Sequence, residues 1–156
     1  MPRVSDLDLV ENALHSCLRV YKGASYIKDF AKRIGTDIDR PSVFILMALS
    51  QRSLRFQDLV KHIGIEAPSI SRKVHELENK GLVQSIEAQD RRVHMLSLTN
   101  EGKALTVKIK RAKRELIGDV LNDWSSEDRA RLANLLMRLS LDLDKVANPS
   151  IVSRTK

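Results

Sequence analysis

Cysteine, aromatic rings and long apolar runs are all scarce in this sequence, and each shortage removes a class of protein. A single cysteine, Cys17, in 156 residues excludes an internal disulfide framework and a multi-cysteine zinc site, both of which need more thiols. Aromatic residues at 4% leave the core to Leu, Ile and Val. No apolar run approaches the roughly 20 residues that a membrane helix needs. The start, Met1-Pro2-Arg3-Val4-Ser5-Asp6, lacks the apolar stretch of a signal peptide, so the expected compartment is the cytoplasm and no membrane partner is expected. Among His15, His62, His75 and His94 no pair has metal-ligand spacing, and none lies beside a Ser, Cys or carboxylate in a catalytic pattern. No catalytic residue, metal or cofactor is expected, and an enzyme is disfavoured. Internal repeats and low-complexity segments are also absent.

What is present is the composition of one globular folding unit, 42% hydrophobic and 30% charged. Lys and Arg outnumber Asp and Glu by 27 to 20, a net charge of +7. Such an excess favours a polyanionic partner through long-range attraction and counterion release, although many basic proteins bind no nucleic acid.

The apolar rhythm is mostly helical. Ser5 and Asp8 form a capping-box pattern ahead of Leu7, Val10, Leu14, Leu18 and Tyr21, which predicts one helix to about Arg33, stopped at Gly35. Asp39 and Pro41 open a second helix whose nearly unbroken Val43–Leu49 run implies burial on most sides. Between residues 54 and 98 the rhythm changes repeatedly. Phe56–Ile63 reads as a short helix stopped by Gly64, Ala67–Lys80 as another with Pro68 in its first turn, and Leu82–Glu87 and Val93–Leu98 as a hairpin. Thr99 caps a long helix carrying Leu105, Ile109, Ala112, Leu116 and Val120. Ser125 and Asp128 start a last helix carrying Leu132, Leu135, Leu136, Leu139, Leu143 and Val146, with Trp124 expected to staple the corner before it.

Two short helices joined at a glycine and followed by a hairpin make a winged helix-turn-helix. The fold class is therefore mainly α with a small antiparallel β-hairpin (α+β). Leu59, Ile63, Ile65, Ile70, Val74 and Leu77 pin the two helices, which leaves Ser69, Ser71, Arg72 and His75 on the free face of the second. Small hydroxyls approach phosphates and base edges closely, and Arg pairs bidentately with guanine. Any amphipathic surface helix also shows such residues outward. The long flanking helices have apolar stripes that a module of about sixty residues could hardly cover, which favours burial between two chains. Lys103, Lys108, Lys110, Arg111, Lys113 and Arg114 wrap around their helix, as a solvated face does, or as a DNA-facing ridge.

Leu59–Gly64, Ser69-Ile70-Ser71-Arg72, Leu77-Glu78-Asn79-Lys80-Gly81-Leu82-Val83, Asp90-Arg91-Arg92 and Leu98-Thr99-Asn100-Glu101-Gly102 together resemble the MarR family, named for multiple-antibiotic-resistance regulators. The resemblance spans about residues 36–145. It implies a homodimer with interlocked terminal helices, bound to double-stranded DNA at a palindromic operator, with recognition helices in the major groove and wings in the minor groove. On this resemblance Asp90 holds the wing and orients Arg92 into the minor groove, where a narrow A·T-rich tract attracts a guanidinium; Gln89 and Arg91 lie near phosphates. Arg55 stands where members often have a capping Ser or Thr, and either weakens the cap or contacts phosphate. Pro68 belongs to the same DNA-facing set.

The resemblance further implies a pocket for a small aromatic or anionic effector, lined by Tyr21, Tyr26, Phe30, Phe44 and Met47 unless these are ordinary core. Because some members sense oxidants through a cysteine on the first helix, Cys17 is either a redox switch or a small core residue. The expected partition is a dimerisation helix at 1–35, a DNA-binding lobe at 36–98, further dimerisation helices at 99–147 and a tail at 148–156. The expected function is a ligand-responsive transcriptional regulator, most simply a repressor. The alternatives are a thiol-based regulator and a winged-helix module for protein interaction.

Overall fold

Ser5 and Asp8 satisfy each other as their spacing predicts. Ser5 Oγ accepts from the Asp8 amide at 3.2 Å, and the Asp8 carboxylate accepts from the Ser5 amide at 2.9 Å. Helix α1 (Asp6–Tyr21) follows from this cap. The structure, a computed structural model, describes residues 5–87 and 94–147. The single helix expected to run to about Arg33 is instead two, because α2 (Ala24–Ile34) begins afresh after an extended Gly23, ψ 147°. Glycine costs a helix interior about 1 kcal/mol. The break is also held from a distance: Arg40 Nη2 donates to the Tyr21 carbonyl at 2.6 Å, satisfying an end of α1 that would otherwise seek the next turn.

Asp39 caps α3 (Arg40–Leu49) by accepting from the Ser42 amide at 2.9 Å, and Pro41 sits in its first turn. Val43, Ile45, Leu46, Ala48 and Leu49 are buried, whereas Phe44 turns outward. The helix-turn-helix is α4 (Phe56–Ile63) and α5 (Ala67–Asn79). Gly64 joins them at φ 70°, a left-handed conformation that costs any other residue about 1–2 kcal/mol.

The expected two-stranded hairpin is β2 (Val83–Glu87) and β3 (His94–Leu98), paired antiparallel from Val83 opposite Leu98 to Glu87 opposite His94. A third strand, β1 (Leu54–Arg55), pairs with the other edge of β3, so the sheet order is β1-β3-β2. Two residues are too few to show an alternating pattern, so only the pairing reveals this strand.

The remaining helices are α6 (Asn100–Val120) and α7 (Ser126–Ala147). The chain divides into two compact units, Met1–Glu115 and Leu116–Lys156. In the first, Ile45, Leu46, Leu59, Ile70, Leu77 and Ile109 are fully buried, joining α3, α4, α5 and α6 in one core. In the second, Ser125 Oγ accepts from the Asp128 amide at 3.0 Å to start α7. The Trp124 staple does not form, because the position it would meet is Arg129, whose guanidinium donates twice to the Trp124 carbonyl, at 2.8 and 3.1 Å. The indole stays partly exposed. No described helix is long and apolar enough to cross a membrane.

Candidate nucleic-acid interface

Helix α5 is docked by one face only. Ile70, Val74 and Leu77, spaced four and three residues apart, are buried against the core. Lys73 adds a polar clamp on that side, reaching the Asp39 carboxylate at 2.5 Å and Glu76 at 2.6 Å. Burial works to raise the Asp39 carboxyl, but hydrogen bonds from Lys73 and Ser42 outweigh it and hold the group below its ordinary value. The same bonds, Asp39 first and Glu76 second, raise the Lys73 ammonium. One cation of α5 is therefore fastened inward.

The opposite face carries Pro68, Arg72 and His75, all exposed, with Ser69 and Ser71 half-buried beside them. Arg72 has no partner among the described residues. His75 Nδ1 lies 3.3 Å from the Glu78 carboxylate. No side chain caps the start of α5 at Glu66; Pro68 has no amide, the Ser69 and Ile70 amides donate to the Glu66 carbonyl, and the positive end of the helix dipole lies next to the two serines. Arg55 is the cap residue of α4; it makes no side-chain capping bond and is exposed, which leaves its guanidinium available. Gln89, Asp90, Arg91 and Arg92 lie outside the described residues. The ladder leading to them is in place through Glu87 and His94.

A second constellation sits on α1, α2, α3 and α6. Tyr21, Tyr26, Ile27, Phe30, Ile38, Arg40, Val43, Phe44 and Lys113 line a narrow cleft. Four of the five aromatic and sulfur residues expected there take part; Met47 does not, packing instead against the core. The tyrosine rings lie 4.8 Å apart at 44°, and the Arg40 guanidinium sits 4.9 Å over the Tyr21 ring. Burial, then the neighbouring Tyr21, raises the Tyr26 phenol.

Arg40 and Lys113 are the polar residues that sequence reasoning missed. Lys113 belongs to a run expected to be solvated, yet it is half-buried and burial pulls its ammonium down. Among the described residues no hydrogen bond or ion pair engages it, and no acid lines the cleft. Two cations and four aromatic rings with no carboxylate make a surface suited to an aromatic anion. Local charge pattern held no sign of it, because Lys113 differs from its neighbours only in where it points. Elsewhere on α6, Arg111 pairs with Glu115 at 2.7 Å. Cys17 is exposed rather than a core residue. Among the described residues no three His, Cys, Asp or Glu side chains gather as a metal site.

Residues 36–93 match the sequence profile of the MarR family. The chain is 25% identical over 142 residues to YxaD, an uncharacterised HTH-type transcriptional regulator of Bacillus subtilis (strain 168), over 90% of this chain and 96% of that one. It superposes on the crystal structure of Streptococcus pneumoniae FabT in complex with DNA with a TM-score of 0.71, at 20% identity, covering 90% of this chain and 99% of the other. It superposes on NadR in complex with 4-hydroxyphenylacetate with a TM-score of 0.62, at 22% identity, covering 89% and 95%. The two structural matches establish a shared fold.

Proposed function

Because the chain belongs to the MarR family of transcriptional regulators, we propose that it acts in the cytoplasm as a homodimeric repressor, binding a palindromic operator and released by a small aromatic carboxylate. The observation that carries this reading is the one-sided docking of α5. Its apolar residues and Lys73 hold it, and Ser69, Ser71, Arg72 and His75 face away from the core. In the major groove Arg72 reads guanine and the serines approach phosphate. At the wing Asp90 orients Arg92 into the minor groove, with Gln89 and Arg91 at phosphates; Arg55 and Pro68 flank the same surface. The DNA-bound state of FabT supports this use of the fold.

Dimerisation follows from exposed apolar surface on each unit. No residue of α1 is buried, and Leu7, Leu9, Val10, Leu14, Leu18 and Val20 face solvent; on α7, Leu135, Leu136, Met137, Leu141, Leu143 and Val146 do the same. Soluble monomers rarely tolerate contiguous patches of this kind. A second copy covers them, and two-fold symmetry sets the recognition helices about one DNA turn, ~34 Å, apart. The cleft of Arg40, Lys113 and aromatic rings takes the effector, a use supported by the 4-hydroxyphenylacetate held by NadR.

The test begins with duplexes selected from random sequence by the purified protein. A palindromic consensus is expected, and its affinity should fall steeply with salt. Absence of any consensus, or a flat salt slope, would overturn the DNA-binding reading. Titration with 4-hydroxyphenylacetate should release the selected duplex from the native protein but not from Arg40→Ala.

A further inference from the structure

The sheet presents two unlike faces. Val83, Leu96 and Leu98 turn into the core that also holds α5. Side chains alternate along a strand, so Gln84, Ile86 and Ser97 belong to the reverse face, where Gln84 Nε2 donates to Ser97 Oγ at 3.4 Å. That face, the turn between α3 and β1, and one side of α6 enclose a groove of about 450 Å³, a size typical of small-molecule sites. Lys103, Val107 and Lys110 share the α6 side, and Arg52 lines the groove from the turn. No acid lines it. Among the described residues, none of these three cationic side chains has a hydrogen-bond or ion-pair partner. Helical spacing accounts for the lysines. Three and four positions from Lys103 stand Thr99, Asn100, Thr106 and Val107, and from Lys110 stand Thr106, Val107, Lys113 and Arg114, none of them acidic. Arg111, by contrast, finds Glu115 four residues on and pairs with it.

We propose that this groove is a binding site for a nucleoside di- or triphosphate. Three cations without a counter-charge call for a ligand carrying several negative charges, and both ammonium and guanidinium groups bind phosphate. The two lysines stand about 10 Å apart along the helix axis, so one compact anion does not satisfy both. Ile86 and Val107 are exposed in the same groove and give an apolar wall for a planar base. Gln51 and Gln84, each with donors and an acceptor, suit the edge of that base. A duplex fits less well, because α5 packs on the core side of the sheet and the groove lies on the reverse. The site is also separate from the cleft of Arg40 and Lys113, with which it shares no residue. It does not depend on α5 being the recognition helix.

Calorimetric titration of the full, DNA-free chain with ATP tests the site, with adenosine and inorganic phosphate as the two halves of the probe. ATP should bind, and each half should bind at least about tenfold more weakly. Changing Lys103 and Lys110 together to Gln should weaken ATP about tenfold or more. Changing Lys108 and Arg114 together to Gln removes the same charge from α6 outside the groove and should cost about twofold or less. Val107→Glu, at an exposed position, sets a carboxylate against the phosphates and should abolish binding, whereas Arg40→Ala should leave it intact. No binding of ATP, or phosphate bound as tightly as ATP, would overturn the proposal. Equal losses in the two charge pairs would do so too, by marking diffuse attraction, as would loss in Arg40→Ala with the groove pair unaffected. If the groove pair weakened duplex binding more than the control pair and left ATP binding unchanged, the groove would serve a DNA backbone and the nucleotide assignment would fall.

Discussion

Arg72 and Lys73 are neighbours in sequence with opposite duties. Arg72 is exposed and unpartnered among the described residues, so its removal leaves nothing unsatisfied in the fold. Arg72→Ala should weaken operator binding by about 1–3 kcal/mol and leave stability within about 0.5 kcal/mol. Titration at fixed salt, beside denaturant unfolding of the same variant, separates the two quantities. Lys73 instead works through Asp39, and its contribution has a pH signature. Asp39 is held below its ordinary value, so the stability it lends is complete above about pH 4 and drains away as pH falls through the lowered value. Lys73 is held above its ordinary value, so its share is complete below about pH 10 and is lost as pH rises through the raised value. Unfolding midpoints measured against pH should show both limbs, and Asp39→Asn should flatten them.

At the scale of elements, two glycines of α6 predict opposite outcomes. A Cβ on Gly102 would stand 2.0 Å from the Leu82 carbonyl oxygen and 3.3 Å from Leu98 Cδ2, where the helix start is clamped to the sheet by Thr99. Thr99 donates from its hydroxyl to Gly81 and accepts from the Gly102 amide. The Leu82 backbone, whose carbonyl carbon would also stand at 3.0 Å, leaves no room to yield, so Gly102→Ala should lose about 1–3 kcal/mol or more. Gly118, with nothing within 4 Å, should gain about 0.5–1 kcal/mol as Ala. Urea unfolding of both variants provides the comparison. The same helix shows what sequence can carry. Thr99, Ser125, Asp39 and Ser5 announce helix starts because a cap needs only residues three positions apart. Ile109 and Ala112 announce the buried stripe through spacing alone. The end of α1 was illegible, since it depends on Arg40 nineteen positions away as well as on Gly23. Strand β1 was illegible because its evidence is the pairing of Leu54 with Leu96. Helix α5 was legible as an element, its inner face apolar and its outer face small or basic; the cationic half of the cleft was not, because burial of Lys113 is set by tertiary packing.

The whole molecule carries its most informative contradiction on α7. A helix of 22 residues has an apolar stripe, yet Leu136 is 51% and Leu143 57% exposed. The stripe has no cover within its own unit, and on the proposed function a second copy covers it and brings two copies of α5 to one operator. A single charge distinguishes the possibilities. If Leu136 faces water in the working protein, Leu136→Glu should change stability by no more than about 0.5 kcal/mol. If it is covered by a second chain, the carboxylate is buried without a partner at a cost of several kcal/mol. The expected result is the second: light scattering should show the native protein as a dimer and Leu136→Glu as a monomer at the same concentration. The native protein should also melt at temperatures that rise with concentration, a dependence the variant lacks. On the proposed function, operator affinity should fall as dimerisation is lost, although position 136 lies on α7 and not on α5. One lobe alone keeps its phosphate contacts and loses the second half-site, so binding should drop toward the non-specific level, about 10³-fold or more weaker. A Leu136→Glu variant that remained dimeric would place the partner surface elsewhere, on α1, where Leu14→Glu repeats the test.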